Sequence, residues 1–430
     1  MDWHDRECLE CKQENNDILD KPFTVEEINS EIDNLPPKKS PGIDGIANEI
    51  LRNAKCILGP LLCRLFNSIL ERGEYPDNWC KSLIVSIHKG GREDDVNNYR
   101  GISLLSHIGK LFCRMFNRRL VDWANRENLM YEEQGGFTKG KSTVDQIFIL
   151  NTAIDKYLQK KKGRCYAVFI DFSKAFDRIP HAHLLYMLLQ SDAHGQFMKV
   201  LQNMYSKLQA CVSTSKSTIS QLFNCKVGTM QGCVLSPFLF VFYLNELIRL
   251  CKELPGIQIE GDIDINMLLY ADDLVVIGDN VGRVQRILNK LSDFCQKWGL
   301  AINAKKTKAM VFRNGGIIKN VERFQLDGNA IENVSHYKYL GLPISTRLSW
   351  TPCQKYLAKQ ADIERHYHCQ VLYISVIIHL KLLKLCLTNV LYLVSPMDVK
   401  YGHAKFITVL KRCICLSSNM CWVSAGKHQI

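Results

Sequence analysis

The stretch NMLLYADDLVVIGD (residues 266–279) sets two adjacent carboxylates, Asp272 and Asp273, between two apolar runs that belong in buried strands. It reads as two short strands meeting at an acid pair. Charge at the tip of apolar structure is costly unless something positive comes to meet it. Upstream, YAVFIDF (166–172) is a buried-type strand running straight into Asp171. If these strands are neighbours in one sheet, three carboxylates converge. Like charges a few ångströms apart push pKa values up. Hard oxygen ligands at that density suit Mg²⁺ or Mn²⁺, which keep waters and accept substrate phosphates. Two such ions activate a hydroxyl and stabilise a leaving pyrophosphate in in-line phosphoryl transfer. A bare Asp-Asp is more simply a solvated turn; the flanks MLLY and LVVI weigh against that here.

Around this centre, helices and strands interleave without strict βαβ alternation, which indicates an α+β sheet with helices on one face. FTVEEINSEIDNL predicts a short amphipathic helix capped by Thr24, with Glu27 three residues on. Helical spacing runs from Gly59 to Leu70, and SLIVSIHKGG (82–91) reads as a strand ending in a basic turn. GKLFCRMFNRRLVDWA (109–124) is a basic amphipathic helix, and another helix spans about 143–160. FLFVFYLNELI follows Ser236-Pro237 as a helix with proline in its first turn. VQRILNKLSDFCQKWGL is a helix closed by Gly299; KAMVFR and YKYLGLPI are further strands. Past Ser345 the chain becomes mostly helical, and residues 1–20 read as polar and frayed.

The chain has 430 residues, 47% hydrophobic and 23% charged, ordinary for a globular protein with ample core. Its net charge of +12 fits either solubility or a polyanionic partner. Eighteen cysteines without framework spacing, behind a start (MDWHDRECLECK) that is charged from its second residue, read as reduced thiols of a cytoplasmic or nuclear protein rather than a secreted one. Cys8 and Cys11, near His4, lack the second ligand pair of a zinc finger. The apolar run 371–394 holds His379, Lys381 and Lys384 at its centre, which favours a helix packed in protein over a membrane span.

Read in order, the motifs resemble those of the reverse transcriptases of non-LTR (LINE-type) retrotransposons. KSPGIDGIANEIL matches the segment ahead of the fingers, VSIHKGGREDDVNNYRGISLLSHIGKLF the first fingers block and EQGGFTKGKSTVDQI the second. YAVFIDFSKAFDRIPH resembles the first palm acid motif, GTMQGCVLSPFLFVFYLNEL the template and nucleotide motif, and LLYADDLVVIG the second acid motif. WGLAINAKKTKAMVF and YKYLGLPIS match the closing palm strand and the primer grip. The likeness covers about residues 23–350 and weakens beyond.

The resemblance implies a right-hand polymerase fold of fingers, palm and thumb, with an antiparallel palm sheet and a mostly helical C-terminal region. Residues 1–67 would precede the fingers, 68–344 would form fingers and palm, and 345–430 a thumb-like region. It assigns catalysis and metal binding to Asp171, Asp272 and Asp273. Phe176 falls where the family places an aromatic beneath the incoming sugar, although core packing also explains a phenylalanine there. Gln231 and Gly232 match residues lining the nucleotide site, and Lys89 and Arg100 those that hold the triphosphate and stack over the base. Lys308 falls near the expected pyrophosphate, in a run of three lysines that equally suits a solvated face.

Met230 replaces an arginine common in relatives, and Gly101 a proline. Neither the endonuclease nor the cysteine/histidine knuckle of full elements is visible in this chain, which suits a fragment or a decayed copy. The expected activity is RNA-directed DNA polymerisation, extending a DNA primer on an RNA template with deoxynucleoside triphosphates and two Mg²⁺ ions. The helix 109–120 is a candidate contact to the primer–template. The alternatives are a catalytically silent nucleic-acid-binding remnant and an intron-maturase-type reverse transcriptase.

Overall fold

The computed structural model describes residues 16–159, 163–213, 218–230, 232–259, 264–314, 322–349 and 351–367. The chain divides into two compact units, one within residues 1–257 and 265–334, the other within 258–264 and 335–430.

In the first unit, helix Val25–Asp33 starts as its sequence predicts. Thr24 Oγ1 accepts the Glu27 N–H at 3.2 Å, and the Glu27 carboxylate accepts the Thr24 N–H at 3.2 Å. Helix Lys55–Arg72 passes without a break through residues 67 and 68, where the sequence reading drew a boundary. It packs with helix His107–Arg126 around a ring cluster in which Phe112 lies 5.2 Å from Phe66 and 4.6 Å from Phe116.

The packing around this unit overturns one expectation. Residues 16–20 are tied down: Leu19 is fully buried, and Asp20 Oδ1 accepts the Phe197 N–H at 2.7 Å. The basic helix is amphipathic, as expected. Phe112, Phe116, Leu120 and Trp123 are buried along it, and Arg119 is only 5% exposed. The Arg119 guanidinium donates to Glu27 at 3.0 and 2.8 Å and sits 5.5 Å above the Phe23 ring. Burial alone would raise the Glu27 pKa, but Arg119 and the Thr24 N–H hold it below the usual carboxylate range. One of the helix's charges, that of Arg119, is therefore spent inside the protein, while Lys110 and Arg114 are half-buried and Arg118 is exposed.

Two sheets organise the unit. One has strand Lys81–His88 antiparallel to Tyr99–Leu104 and parallel to Gln209–Ser213, with Phe223–Asn224 at the far edge. The other has the order Phe324–Leu326, Asn329–Asn333, Lys308–Arg313, Arg164–Ile170, Asp273–Gly278, Met267–Tyr270. Its four strands from Lys308–Arg313 to Met267–Tyr270 are antiparallel, as expected, whereas Asn329–Asn333 adds in parallel.

Helices cover both faces of this second sheet, not one. Tyr166, Val168 and Ile170 share a core with Leu288, Leu291 and Phe294 of helix Val281–Trp298 and with Tyr243 of helix Leu235–Cys251. The alternate residues Cys165, Ala167 and Phe169 are equally buried but stand outside that core, on the face toward helix Thr143–Leu158. A strand covered on both faces reads as a continuous apolar run, which is what residues 165–170 show.

The second unit opens with a hairpin, His336–Tyr339 against Leu342–Ser345, whose loop residues Leu340 and Gly341 both have positive φ. Helix Thr351–Tyr367 packs on strand Leu342–Ser345, and Lys338 Nζ donates to Tyr356 Oη at 2.7 Å. The predicted helix at 371–394 and the Cys8/Cys11 pair lie outside the described residues. No helix among the described residues is long and apolar enough to cross a membrane. The described cysteines are free thiols.

Candidate active site

The strand pairing brings the predicted acids to one edge. Strand Arg164–Ile170 pairs with Asp273–Gly278 in a register that ends at Ile170 opposite Leu274, so Asp171 falls opposite Asp273. Facing positions on neighbouring strands keep their Cβ atoms about 5 Å apart. Tyr270 pairs with Asp273, leaving Ala271 and Asp272 as a two-residue loop. Ala271 takes φ +56°, the left-handed region that a residue with a Cβ avoids.

Burial pushes the Asp273 carboxyl up to about 6, with the charges of Asp272 and Asp171 adding to the shift. Asp273 is nonetheless exposed to solvent, which screens part of that shift. Asp171 is raised by burial first; Lys306 opposes this, and Asp272 reinforces it. Among the described residues, no three His, Cys, Asp or Glu side chains close around one point. The carboxylates stand together without forming a cage. This donor set fits Mg²⁺, which takes one or two carboxylates and completes its shell with water and phosphate oxygens.

The cation that the protein itself brings is Lys306, not Lys308. Segment 301–307 returns beside Asp171: the Asn303 N–H donates to the Asp171 carbonyl at 2.7 Å, and Thr307 Oγ1 accepts the Asp171 N–H at 3.3 Å. This leaves Lys306 Nζ 3.9 Å from Asp171 Oδ2, a loose and exposed pair. Lys308 begins the next strand and donates to Glu332 at 2.6 Å.

Phe176 lies in the short helix Ala175–Arg178, half-buried, stacked on Phe240 at 4.1 Å with Phe137 edge-on at 6.4 Å. Its carbonyl accepts the Thr229 N–H at 2.7 Å, joining it to the chain just ahead of Gly232. Gly232 has φ +123°, and a Cβ there would stand 2.6 Å from the Ser103 carbonyl oxygen. The close approach it permits is thus to the strand Tyr99–Leu104. Gln231 lies outside the described residues. Lys89 and Arg100 come to one face of the Lys81–His88/Tyr99–Leu104 hairpin: Ile87 pairs with Arg100, and the Lys89 N–H donates to the Asn98 carbonyl at 2.7 Å. Both are exposed.

One residue that the sequence reading passed over touches the acid turn directly. Gln134 is fully buried, and its Oε1 accepts the N–H groups of Ala271 at 2.9 Å and Gly136 at 2.7 Å. The available signal was a glutamine followed by two glycines.

Residues 87–344 match the family model described as reverse transcriptase (RNA-dependent DNA polymerase). Among curated proteins, the chain is 31% identical to the probable RNA-directed DNA polymerase from transposon BS of Drosophila melanogaster, over 77% of this chain and 37% of that protein. It is 28% identical to the RNA-directed DNA polymerase from mobile element jockey of the same fly, over 79% of this chain and 38% of the other. It is also 26% identical to the Pol polyprotein from the type-1 retrotransposable element R2 of Popillia japonica, over 75% and 45%. The chain spans less than half the length of each of these relatives. Motif order, acid geometry and matched span agree with the resemblance to non-LTR retrotransposon enzymes, and the chain belongs to the reverse transcriptase (RNA-dependent DNA polymerase) family.

Proposed function

We propose that this chain acts as an RNA-directed DNA polymerase of the non-LTR retrotransposon type, extending a primer 3′-hydroxyl on an RNA template with deoxynucleoside triphosphates. The observation that carries the reading is the strand register that sets Asp171 opposite Asp273, with Asp272 in the adjoining turn. In this reading residues 68–344 form fingers and palm, residues 345–430 a thumb-like region, and residues 1–67 the segment ahead of them. Two Mg²⁺ ions, with Mn²⁺ as a substitute, would neutralise the attacking and leaving oxygens of the transfer.

The chain's own groups supply the rest. Asp171, Asp272 and Asp273 hold the ions and position the primer terminus. Lys306, 3.9 Å from Asp171 and largely exposed, is free to turn toward a triphosphate. The Phe176 ring, stiffened by Phe240, blocks the space a 2′-hydroxyl needs. The family resemblance assigns Gln231 and Gly232 to the nucleotide site, and it gives Lys89 and Arg100, which share one hairpin face, the triphosphate and base.

The test is primer extension by the purified chain on a defined RNA template. Wild type is expected to extend, and Asp272→Asn to lose activity by about a hundredfold or more while still binding the primer–template. A variant that extends at the wild-type rate would overturn the assignment of Asp272. A wild type inert with both Mg²⁺ and Mn²⁺ would point to the silent remnant.

A further inference from the structure

The loop that holds Gln134 is built against the free edge of the acid-bearing sheet. The Leu269 N–H donates to the Glu133 carbonyl at 2.9 Å, and the Gly135 N–H donates to the Leu269 carbonyl at 2.8 Å, so Gln134 bridges strand Met267–Tyr270 in parallel. Lys141 Nζ ties the loop back on itself, donating to the carbonyls of Glu132 at 2.7 Å and Gln134 at 3.0 Å. Gly136 packs so closely on the turn that a Cβ there would run into the Ala271 amide nitrogen. The glutamine amide is thereby fixed, with its oxygen on the N–H of Ala271 and its nitrogen 3.5 Å from the Ala271 carbonyl.

This matters because of what Ala271 is doing. An alanine at φ +56° is held above its relaxed conformations by the clash of its Cβ. Its N–H is buried, so losing the acceptor adds the cost of an unpaired donor. Without a clamp, the peptide between Tyr270 and Ala271 is free to rotate toward a negative φ. That rotation swings Asp272, the next residue, and shifts the start of the strand at Asp273.

We propose that Gln134 is a positioning residue for the acid pair, holding Ala271 in its left-handed conformation and so fixing the directions of Asp272 and Asp273. The inference rests on the polymerase reading above, since it takes those carboxylates to be metal ligands. The Gln134 side chain bonds to the backbone of Ala271 and Gly136 and acts through the backbone of the turn.

The test compares Gln134→Met, which keeps the bulk and removes the acceptor, with the double variant Gln134→Met/Ala271→Gly. Glycine adopts the positive φ without strain, so it lets the turn keep its shape when the clamp is gone. Mn²⁺ affinity of the protein alone, by electron paramagnetic resonance titration, is expected to fall about tenfold in the single variant and to recover by more than half in the double. The Mg²⁺ concentration for half-maximal extension should rise and recover in parallel. Wild-type Mn²⁺ affinity in a folded Gln134→Met protein would overturn the proposal, as would a double variant no better than the single. Loss of the fold in both variants would make Gln134 a core residue and also overturn it. A wild type that binds Mn²⁺ but extends no primer fails the polymerase reading while leaving the Gln134 comparison intact; one that does neither fails both.

Discussion

Phe176 shows how one side chain answers to two demands. Its ring is stacked on Phe240 at 4.1 Å, so packing holds it, yet it is only half-buried and lies perpendicular to Phe137, the residue after Gly136. Packing and gating are compatible, because a ring that excludes a 2′-hydroxyl must be rigid. Phe176→Val should raise the ratio of ribonucleotide to deoxynucleotide incorporation by about tenfold or more, while deoxynucleotide extension falls modestly. Single-nucleotide incorporation with paired substrates measures this, and an unchanged ratio would leave Phe176 a core residue alone. The acids stood out in the sequence because charge sits at the tips of apolar strands, whereas Phe176 was singled out only by the family resemblance. Gln134 was not singled out: a buried glutamine has no periodic signature, and its partner, Ala271, is 137 positions away.

At the scale of elements, the pairing of two strand ends adds Asp171 to the repulsion already present between Asp272 and Asp273. Asp273 titrates near 6 because burial and then the charges of Asp272 and Asp171 disfavour its ionised form. A folded pKa above the unfolded value stabilises the fold below the unfolded pKa, near 3.8, and that contribution is lost as pH rises through about 6. In chelator, the stability of wild type relative to Asp273→Asn should therefore fall between about pH 4 and 7. The difference is of order 1 kcal/mol, reduced from the full linkage value because solvent screens an accessible carboxylate. Millimolar Mg²⁺ should abolish the trend. Denaturant midpoints across that range measure it, and a flat difference would mean that folding does not raise the Asp273 pKa. The strands themselves were plain from YAVFIDF and LLYADDLVVIG. Their pairing was a supposition, because register depends on hydrogen bonds between segments about 100 residues apart and the apolar pattern of each is satisfied by many partners.

For the molecule as a whole, the surplus of 55 basic over 43 acidic residues meets a polyanion only where the charge remains outside. Arg119 does not, being buried on Glu27, whereas Lys89, Arg100, Arg118, Lys305 and Lys306 are exposed. Affinity for an RNA–DNA hybrid should fall with salt by about 0.7 to 0.9 log units per phosphate contact per log unit of salt. Several contacts are expected, with little dependence on sequence. Fluorescence anisotropy between about 50 and 200 mM salt measures the slope, and a flat response would mean that the charge only solvates the surface. Arg119→Met should leave that slope unchanged, as its charge is already paired. The amino-acid sequence by itself determined the family, through the order of its motifs. It also determined the ends of elements set by local chemistry, such as the Thr24 capping box and the turn at Gly299, because those signals lie within a few residues of what they specify. The tertiary structure decided what depends on distant partners: helices on both sheet faces, the inward turn of Arg119, Lys306 rather than Lys308 beside Asp171, and Gln134 on the acid turn. Each of these is a contact between segments far apart in the chain, and no local pattern of apolar and polar residues encodes which side chain will be there to meet them.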